Sequence, residues 1–402
     1  MRIQSASSND AAVNGGDQSG RIIMNFLNET QILWRDTVHR FVDDEITREY
    51  IRKCDMDRAY PYEGYSKIAR AGWLRLLIPE SMGGDGGDIF DYALMCEGSG
   101  KYGFDFATAM MVSTFTAMNI VHHGSPEQKE SFLAPFMRGD VRFSISISEP
   151  QAGSDAANTR TRATLEDGHW VLRGQKLWCS GAAADNVVIA MLVRTGDDSV
   201  KHKGLSVLLI PNTTPGVTIR RLPTLARRAT GTTEIFLDEA RVPETAVLGE
   251  PGQGWDIITE HLELERIAVA AAYVGNAQTA VSDALGYARE RIQFDRAIYE
   301  FQVIRHMLAD MQTQVDAARL LVYRAASLAA ASTACTREVA MAKLFASETL
   351  QTVSRMGMQI LGGHGMLPEA DMERYFREGM QSTIGGGTSQ IQRTIIAKTM
   401  RV

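Results

Sequence analysis

Cysteine is scarce, and what there is has no pattern. Cys54, Cys96, Cys179 and Cys335 are the 4 cysteines of 402 residues, and no two stand at the spacing of a metal knuckle or a redox motif. This argues against a disulfide scaffold and fits free thiols in a reducing compartment, so a cytosolic location is expected. Charge of one sign is also lacking. The net charge is −6, without the clustered Lys and Arg that displace counterions from a nucleic-acid backbone, and no nucleic-acid partner is expected. No apolar run approaches the roughly 20 residues needed to cross a bilayer. The first residues lack the charged-then-apolar order of a secretion signal, and no membrane association is expected. Neither G-x-G-x-x-G after a strand nor G-x-x-x-x-G-K-[ST] occurs, which argues against Rossmann and P-loop folds. No metal site is read.

What is present is an apolar content of 45%, enough for a large core divided among two or three domains. Residues 1–23 are rich in Ser, Asn, Gly and Asp, show no hydrophobic period, and read as a disordered tail or leader. Met24 opens a helical pattern carried by Leu27, Ile32, Val38 and Phe41, so an alternative start or an appended leader is expected there. A helical N-terminal domain over 24–140 follows. From Val141 the period becomes two: VRFSISIS, TRATL, HWVLRG, NVVIAMLV, LSVLLI, GVTIRR and TTEIFLD come at short spacing, with Asp167-Gly168 as a tight turn, which predicts a central β domain over 141–250. Helical patterns return over roughly 256–292, 300–330, 335–361 and 388–400, and 251–402 is expected to be a helical bundle. The fold class is mainly α with a central β domain.

Three segments look like ligand machinery. Ser148-Glu149-Pro150-Gln151-Ala152-Gly153-Ser154-Asp155 is a polar loop at the end of a clear strand, where backbone N–H groups and hydroxyls can face a ligand or merely satisfy a turn. Trp178 and Ser180 place a flat ring two residues from a hydroxyl, though large aromatics are usually core. Thr383 to Gln392 holds three successive glycines running into a helix, with a Ser389/Gln392 capping-box spacing. Such an N-terminus suits a phosphate or a polarised carbonyl oxygen.

In order along the chain, these segments and two others resemble the acyl-CoA dehydrogenase family from about Phe26 to Met400. The family pattern reads roughly TEPxAGSD, GxKxWITN, ERxxFG, QxxGGxG and EGTxxIQR. The counterparts here are Ser148-Glu149-Pro150 with Gly153-Ser154-Asp155, then Trp178-Cys179-Ser180, Glu290-Arg291-Ile292-Gln293-Phe294, Gln359-Ile360-Leu361-Gly362-Gly363-His364-Gly365, and Gly386-Gly387-Thr388 with Gln390. The resemblance implies an FAD enzyme with a helical N-terminal domain, a β-barrel or sandwich middle domain and a C-terminal four-helix bundle, assembled as a homo-oligomer, dimer or tetramer. It implies that Ser148 and Ser180 hydrogen-bond the flavin ring and that Trp178 packs against it. Thr388 and Gln390 would hold FAD phosphates, while Arg291, Phe294, Gln359 and Gly363 would serve the FAD of a neighbouring protomer. Ser154 and Arg266 would meet the substrate, an acyl-CoA or acyl carrier protein thioester, and an electron-transfer flavoprotein would take the electrons.

The chain departs from the pattern at one chemically decisive place. Many members carry a catalytic glutamate just before the Gly-Thr of the last motif, where this chain has Gly386. Other members, isovaleryl- and long-chain-type enzymes among them, place it before an arginine on the first long helix of the C-terminal domain, and Glu265-Arg266 stands there. Helix geometry supports the choice. Glu265 shares a stripe with Ile258, Leu262, Val269 and Ala272, whereas Glu263 keeps company with Thr259, Glu260 and Arg266. The alternative role for Glu265 is an ion pair with Arg266. Smaller departures are Asp295 after Phe294, where glycine is usual, and Glu378 after Arg377, where aspartate is common; they bear on the fine cofactor contacts and not on the fold.

The resulting expectation is α,β-dehydrogenation of an acyl thioester: Glu265 takes the α proton, the β hydrogen leaves as hydride to flavin N5, and backbone N–H groups near Gly386 or Gly387 stabilise the developing enolate. Other reactions on the same fold are an enoyl-thioester reductase, a prolyl-type carrier-protein dehydrogenase and a flavin monooxygenase. The basic stretch Arg220, Arg221, Arg227 and Arg228 would meet a nucleotide phosphate or an acidic carrier protein, or simply face solvent.

Overall fold

A computed structural model describes residues 26–197, 200–260 and 262–400; the expected tail over 1–23 lies outside them. Among the described residues six α-helices come first: α1 (Glu29–Phe41), α2 (Arg48–Asp57), α3 (Tyr62–Arg70), α4 (Ile89–Ser99), α5 (Phe104–His123) and α6 (Pro126–Arg138). The start signals are local. Asn28 and Ser125 accept from the third residue of α1 and α6, and Gln31 and Gln128 return the bond, closing a capping box on each helix.

Helix α5 corrects the expectation that no stretch is long and apolar enough to span a bilayer. It is one by length and composition, and it is almost wholly buried inside the protein as a core helix. Its period is masked by Asp105, Thr108, Thr114, Thr116 and Asn119, all buried. The three threonines return their hydroxyl hydrogen to the carbonyl four residues earlier.

The β block runs β1 (Arg142–Ser146), β2 (Arg162–Glu166), β3 (His169–Ser180), β4 (Val187–Arg194), β5 (Leu205–Pro211), β6 (Val217–Arg221), β7 (Thr232–Pro243) and β8 (Val247–Leu248). The sheet order is β6-β7-β3-β2-β4-β5-β8, with β1 parallel to β4. Every residue of β4 is buried, and the edge strand β6 is not. Asp167 and Gly168 both take positive φ, as the two-residue turn between β2 and β3 requires.

The last block holds α7 (Gly254–Glu260), α8 (Leu262–Glu290), a short hairpin β9 (Ile292–Gln293) and β10 (Arg296–Ala297), then α9 (Gln302–Ala330), α10 (Thr336–Leu361), α11 (Met372–Ser382) and α12 (Ser389–Thr399). Helix α8 lies tightly on α4. A Cβ at Gly275 would stand 1.9 Å from the Glu97 carbonyl oxygen, and one at Gly100 would stand 2.3 Å from that of Ala272, so only glycine permits the approach. The buried Arg319 of α9 fixes the same junction, 2.9 Å from Glu97.

Two sequence expectations are corrected in this block. Helix α11 was not anticipated, because its buried face is built from Arg374, Arg377 and Glu378 beside Met372 and Tyr375. The start of α12 lies one residue earlier than the expected Ser389/Gln392 box: Thr388 is the cap, accepting from Ile391 N–H at 3.2 Å. The basic stretch also divides. Arg220 and Arg221 are exposed, whereas Arg228 turns inward toward Asp55 at 3.9 Å and Arg227 reaches α5 and α11.

Candidate active site

Strand β1 ends in the loop carrying Ser148, and the loop is tied down at two points. Leu177 N–H donates to the Ser148 carbonyl at 2.9 Å, and buried Glu149 pairs with buried Lys176 at 2.8 Å. Directly after Leu177 the pairing of β3 with β7 shifts register. At that bulge Trp178 takes φ +65° and leaves 57% of its surface exposed, while Cys179 turns into the core. A bulge re-aims a side chain that strict alternation would bury. Trp178 thus stands outward, next to the Leu177 that binds the loop of half-buried Ser148 and two residues before half-buried Ser180. Ser154 is exposed further along the loop, where a Cβ at Gly153 would meet nothing within 4 Å.

A second group gathers at the glycine turn between α11 and α12. Gly386 and Gly387 have φ of +66° and +85°, and neither N–H makes a hydrogen bond among the described residues. Fully buried Lys343 holds the turn from below, donating to the carbonyls of Ser382 at 3.1 Å and Gly387 at 2.8 Å. Gln392 adds bonds to the carbonyls of Gly386 and Gly387 at 3.3 and 3.1 Å. A Cβ at Gly386 would lie 3.8 Å from the Lys343 side chain, and one at Gly387 would lie 4.0 Å from the Arg266 guanidinium. Arg266 Nε, Ser389 Oγ and Gln392 Oε1 are buried without a partner.

Glu265, in the first turn of α8, belongs to this second group. Part of its surface remains accessible, yet protein crowds it closely enough for burial to raise its carboxyl pKa above the ordinary value, with Arg266, Arg227 and Lys343 pulling partly the other way. No ion pair with Arg266 forms, and its oxygens accept no hydrogen bond among the described residues. Glu260, by contrast, lies on the outside against His122 and His123.

The remaining anticipated residues do not join either group. Arg291 and Gln359 are exposed, Phe294 shows 87% of its surface at the β9–β10 hairpin, and a Cβ at Gly363 would meet nothing within 4 Å. They share one end of the bundle, where Tyr287 stacks on His364 at 5.3 Å. That end is remote from Glu265: the 25 residues from Glu265 to Glu290 span about 38 Å of helix at 1.5 Å per residue. Gln390 is exposed, and Thr388 spends its hydroxyl oxygen on the cap. Lys343 and Lys176 were assigned no site role from sequence, and Arg227 was read there only as part of a basic stretch. Lys343 had left a signal, since it interrupts the buried stripe of Val339, Ala346 and Leu350.

Models of the N-terminal, middle and C-terminal domains of acyl-CoA dehydrogenases match residues 28–140, 144–240 and 252–401. The chain belongs to the acyl-CoA dehydrogenase family. Among its relatives, a Bacillus subtilis protein named probable acyl-CoA dehydrogenase YngJ is 37% identical, over 94% of this chain and 100% of that protein. The human mitochondrial short-chain specific acyl-CoA dehydrogenase is 35% identical, over 92% of this chain and 90% of that protein. Butyryl-CoA dehydrogenase from Megasphaera elsdenii shares the fold with a TM-score of 0.88 at 29% identity, covering 94% of this chain and 99% of that one. This acyl-CoA dehydrogenase family member is therefore an oxidoreductase of that type, and the family is FAD-dependent. The donor set fits such a cofactor. An outward indole, with Ser180 two residues on and the Ser148 loop bonded to its neighbour Leu177, suits a flat ring system, and the glycine turn opening α12, with buried Ser389 Oγ and Gln392 Oε1 unpartnered, suits polar groups of a long ligand.

Proposed function

We propose that the chain dehydrogenates an acyl thioester between its α and β carbons, with Glu265 as the base. The observation that carries this is the state of the Glu265 carboxylate: unpaired, raised in proton affinity by burial, and grouped with a glycine turn whose residue 386 has no side chain to do the same work. A group this reluctant to be charged is a stronger base than an exposed glutamate. Breaking the Cα–H bond puts the proton on Glu265. Negative charge then develops on the thioester oxygen, and the N–H groups of Gly386 and Gly387, which make no hydrogen bond among the described residues, are its proposed donors. Losing one such donor typically costs about 2.7–4 kcal/mol of barrier. FAD, when bound, would supply the acceptor for the β hydrogen and its electron pair.

For the cofactor, Ser148, Trp178, Ser180, Thr388 and Gln390 of one protomer are the proposed contacts. Arg291, Phe294, Gln359 and Gly363 would contribute from a neighbour, a reading supported by their exposure and by the length of helix that separates them from Glu265. A homo-oligomer follows from that division. Exposed Ser154 is assigned to the thioester arm, which is the same in CoA and in a carrier protein, and an electron-transfer flavoprotein is the proposed oxidant. The CoA form is supported by the relatives named above.

Glu265→Gln tests the base. The variant should purify with its flavin and lose bleaching of the flavin absorbance by acyl thioesters, by about 100- to 10,000-fold in rate. Reduction at the wild-type rate would remove Glu265 from the reaction.

A further inference from the structure

Arg227 lies on the 222–231 loop between β6 and β7, and its side chain leaves the β block. Its backbone has φ +61°, an uncommon state for a long side chain. The guanidinium stands 4.1 Å from the centre of the Phe104 ring. It donates to the Thr108 hydroxyl of α5 and to the Gln381 side-chain oxygen of α11, the latter at 3.3 Å. Gln381 is the residue a Cβ at Gly385 would strike, at 2.5 Å, so Arg227 reaches the edge of the glycine turn. Its charge is felt at Glu265, at Lys343 and at Tyr273.

Three inward arginines meet carboxylates: Arg319 meets Glu97 at 2.9 Å, Arg374 meets Asp371 at 2.9 Å, and Arg377 meets Asp55 at 2.6 Å. Arg227 bonds two neutral side chains and forms no ion pair among the described residues. Asp105, on which Arg227 is the largest influence after burial, is occupied by the N–H groups of Ala229 and Thr230. Around the single carboxylate of Glu265 there are three cations, Arg227, Arg266 and Lys343. Arg227 is half-buried, and a neutral amide would brace the same junction without bringing a third cation to it.

We propose that Arg227 sets acyl specificity by binding a carboxylate at the far end of the acyl chain, so that the preferred substrates are thioesters of dicarboxylic acids. The assignment rests on the thioester reading above. A planar guanidinium matches a carboxylate bidentately, and a site built around that contact discriminates against an acyl group lacking it.

The test is anaerobic flavin bleaching of the holoenzyme with succinyl-, glutaryl- and adipyl-CoA against butanoyl-, pentanoyl- and hexanoyl-CoA. At least one carboxylated thioester should exceed its neutral counterpart in kcat/KM by about 10- to 100-fold, the range a hydrogen bond to a charged group supplies. In Arg227→Gln, which keeps bonding capacity toward Thr108 and Gln381, that ratio should collapse toward one, and Arg227→Lys should restore part of it. A wild-type preference for the neutral series overturns the assignment and leaves the dehydrogenase reading standing. So does a Gln variant that slows both series equally and moves the pH profile, which would make Arg227 an electrostatic partner of Glu265. Absence of bleaching by every thioester would instead overturn the dehydrogenase reading, and this assignment with it.

Discussion

The Glu149 carboxylate and the Lys176 ammonium, 2.8 Å apart and both closed to solvent, fasten the loop bearing Ser148 to the strand bearing Trp178 and Ser180. The anion is the better-held partner. It accepts from Lys176, Gln151, Arg160 N–H and Thr161 N–H, whereas among the described residues the ammonium has only Glu149 and the Ile147 carbonyl. Burial alone would raise the Glu149 pKa, but Lys176 and the backbone donors hold it down to about 2. Burial depresses Lys176 to about 8 even against the attraction of Glu149. Lys176→Met therefore strands a buried carboxylate and should cost about 3–5 kcal/mol of stability. Adding Glu149→Gln should recover much of that, since an amide oxygen still serves Arg160 and Thr161. Denaturant unfolding of the three proteins measures this, and an unchanged midpoint for the single variant would deny the pair its role.

Glu265 makes a paired prediction about activity and stability. Its folded pKa lies above the unfolded value, so the base-dependent limb of kcat/KM should fall away with acid at a higher pH than an ordinary carboxylate would set. By linkage, a raised acid contributes stability present below its unfolded pKa and lost as pH rises through the folded one. Glu265→Gln should thus be more stable than wild type at neutral pH, with the gain vanishing at low pH. Melting curves of the holoproteins across pH decide it; a Gln variant less stable at pH 7 would mean the carboxylate is held by favourable contacts.

Glu378 shows the same sign at a structural site. Its carboxylate accepts from Phe104 N–H at 2.6 Å and Asp105 N–H at 3.3 Å, capping α5 where Gly103 offers no side chain. Burial, then Asp105, raises its pKa from 4.5 to about 7, with Arg374 partly opposing. Its contribution to stability is complete below about pH 4.5 and disappears as pH climbs through about 7. Glu378→Gln should flatten that decline. Glu378→Ala leaves two buried donors unmet, at about 1–3 kcal/mol each, throughout the range. Parallel pH titrations of the melting temperature separate the two.

The block order of this fold was legible because the hydrophobic period changes from helical to alternating at Val141 and back near Gly254, and period depends only on neighbours in the chain. Glu265 was legible for the same reason, as one acid interrupting an apolar stripe. Helix α11 was not, since the residues it buries are Arg374, Arg377 and Glu378, which read as a solvated face until their partners Asp371, Asp55 and the start of α5 are in view. Lys176 escaped notice, and Arg227 was read as one of a basic surface stretch, because a buried cation and an exposed one look alike without their surroundings. The outward turn of Trp178 depends on a bulge, and a bulge is a property of two paired strands rather than of one.

The glycine turn offers the most direct test of where the base can stand. Gly386 has room: the nearest atom to an added Cβ is the Lys343 side chain at 3.8 Å, so a carboxylate there would arrive beside a cation and its backbone would need only to tolerate φ +66°. For a non-glycine residue that left-handed state costs about 1–2 kcal/mol. In a Glu265→Gly background, which should be inactive, Gly386→Glu is expected to restore flavin bleaching measurably but below the wild-type rate, with a modest loss of stability. Lys343 should also hold the transplanted carboxylate in its charged form, so the acid limb of the revertant's pH profile should lie lower than that of the wild type. Stopped-flow reduction with one thioester across pH measures both effects. A double variant that holds flavin, binds substrate and stays inactive would show that Glu265 reaches a face of the acyl chain that the glycine turn does not.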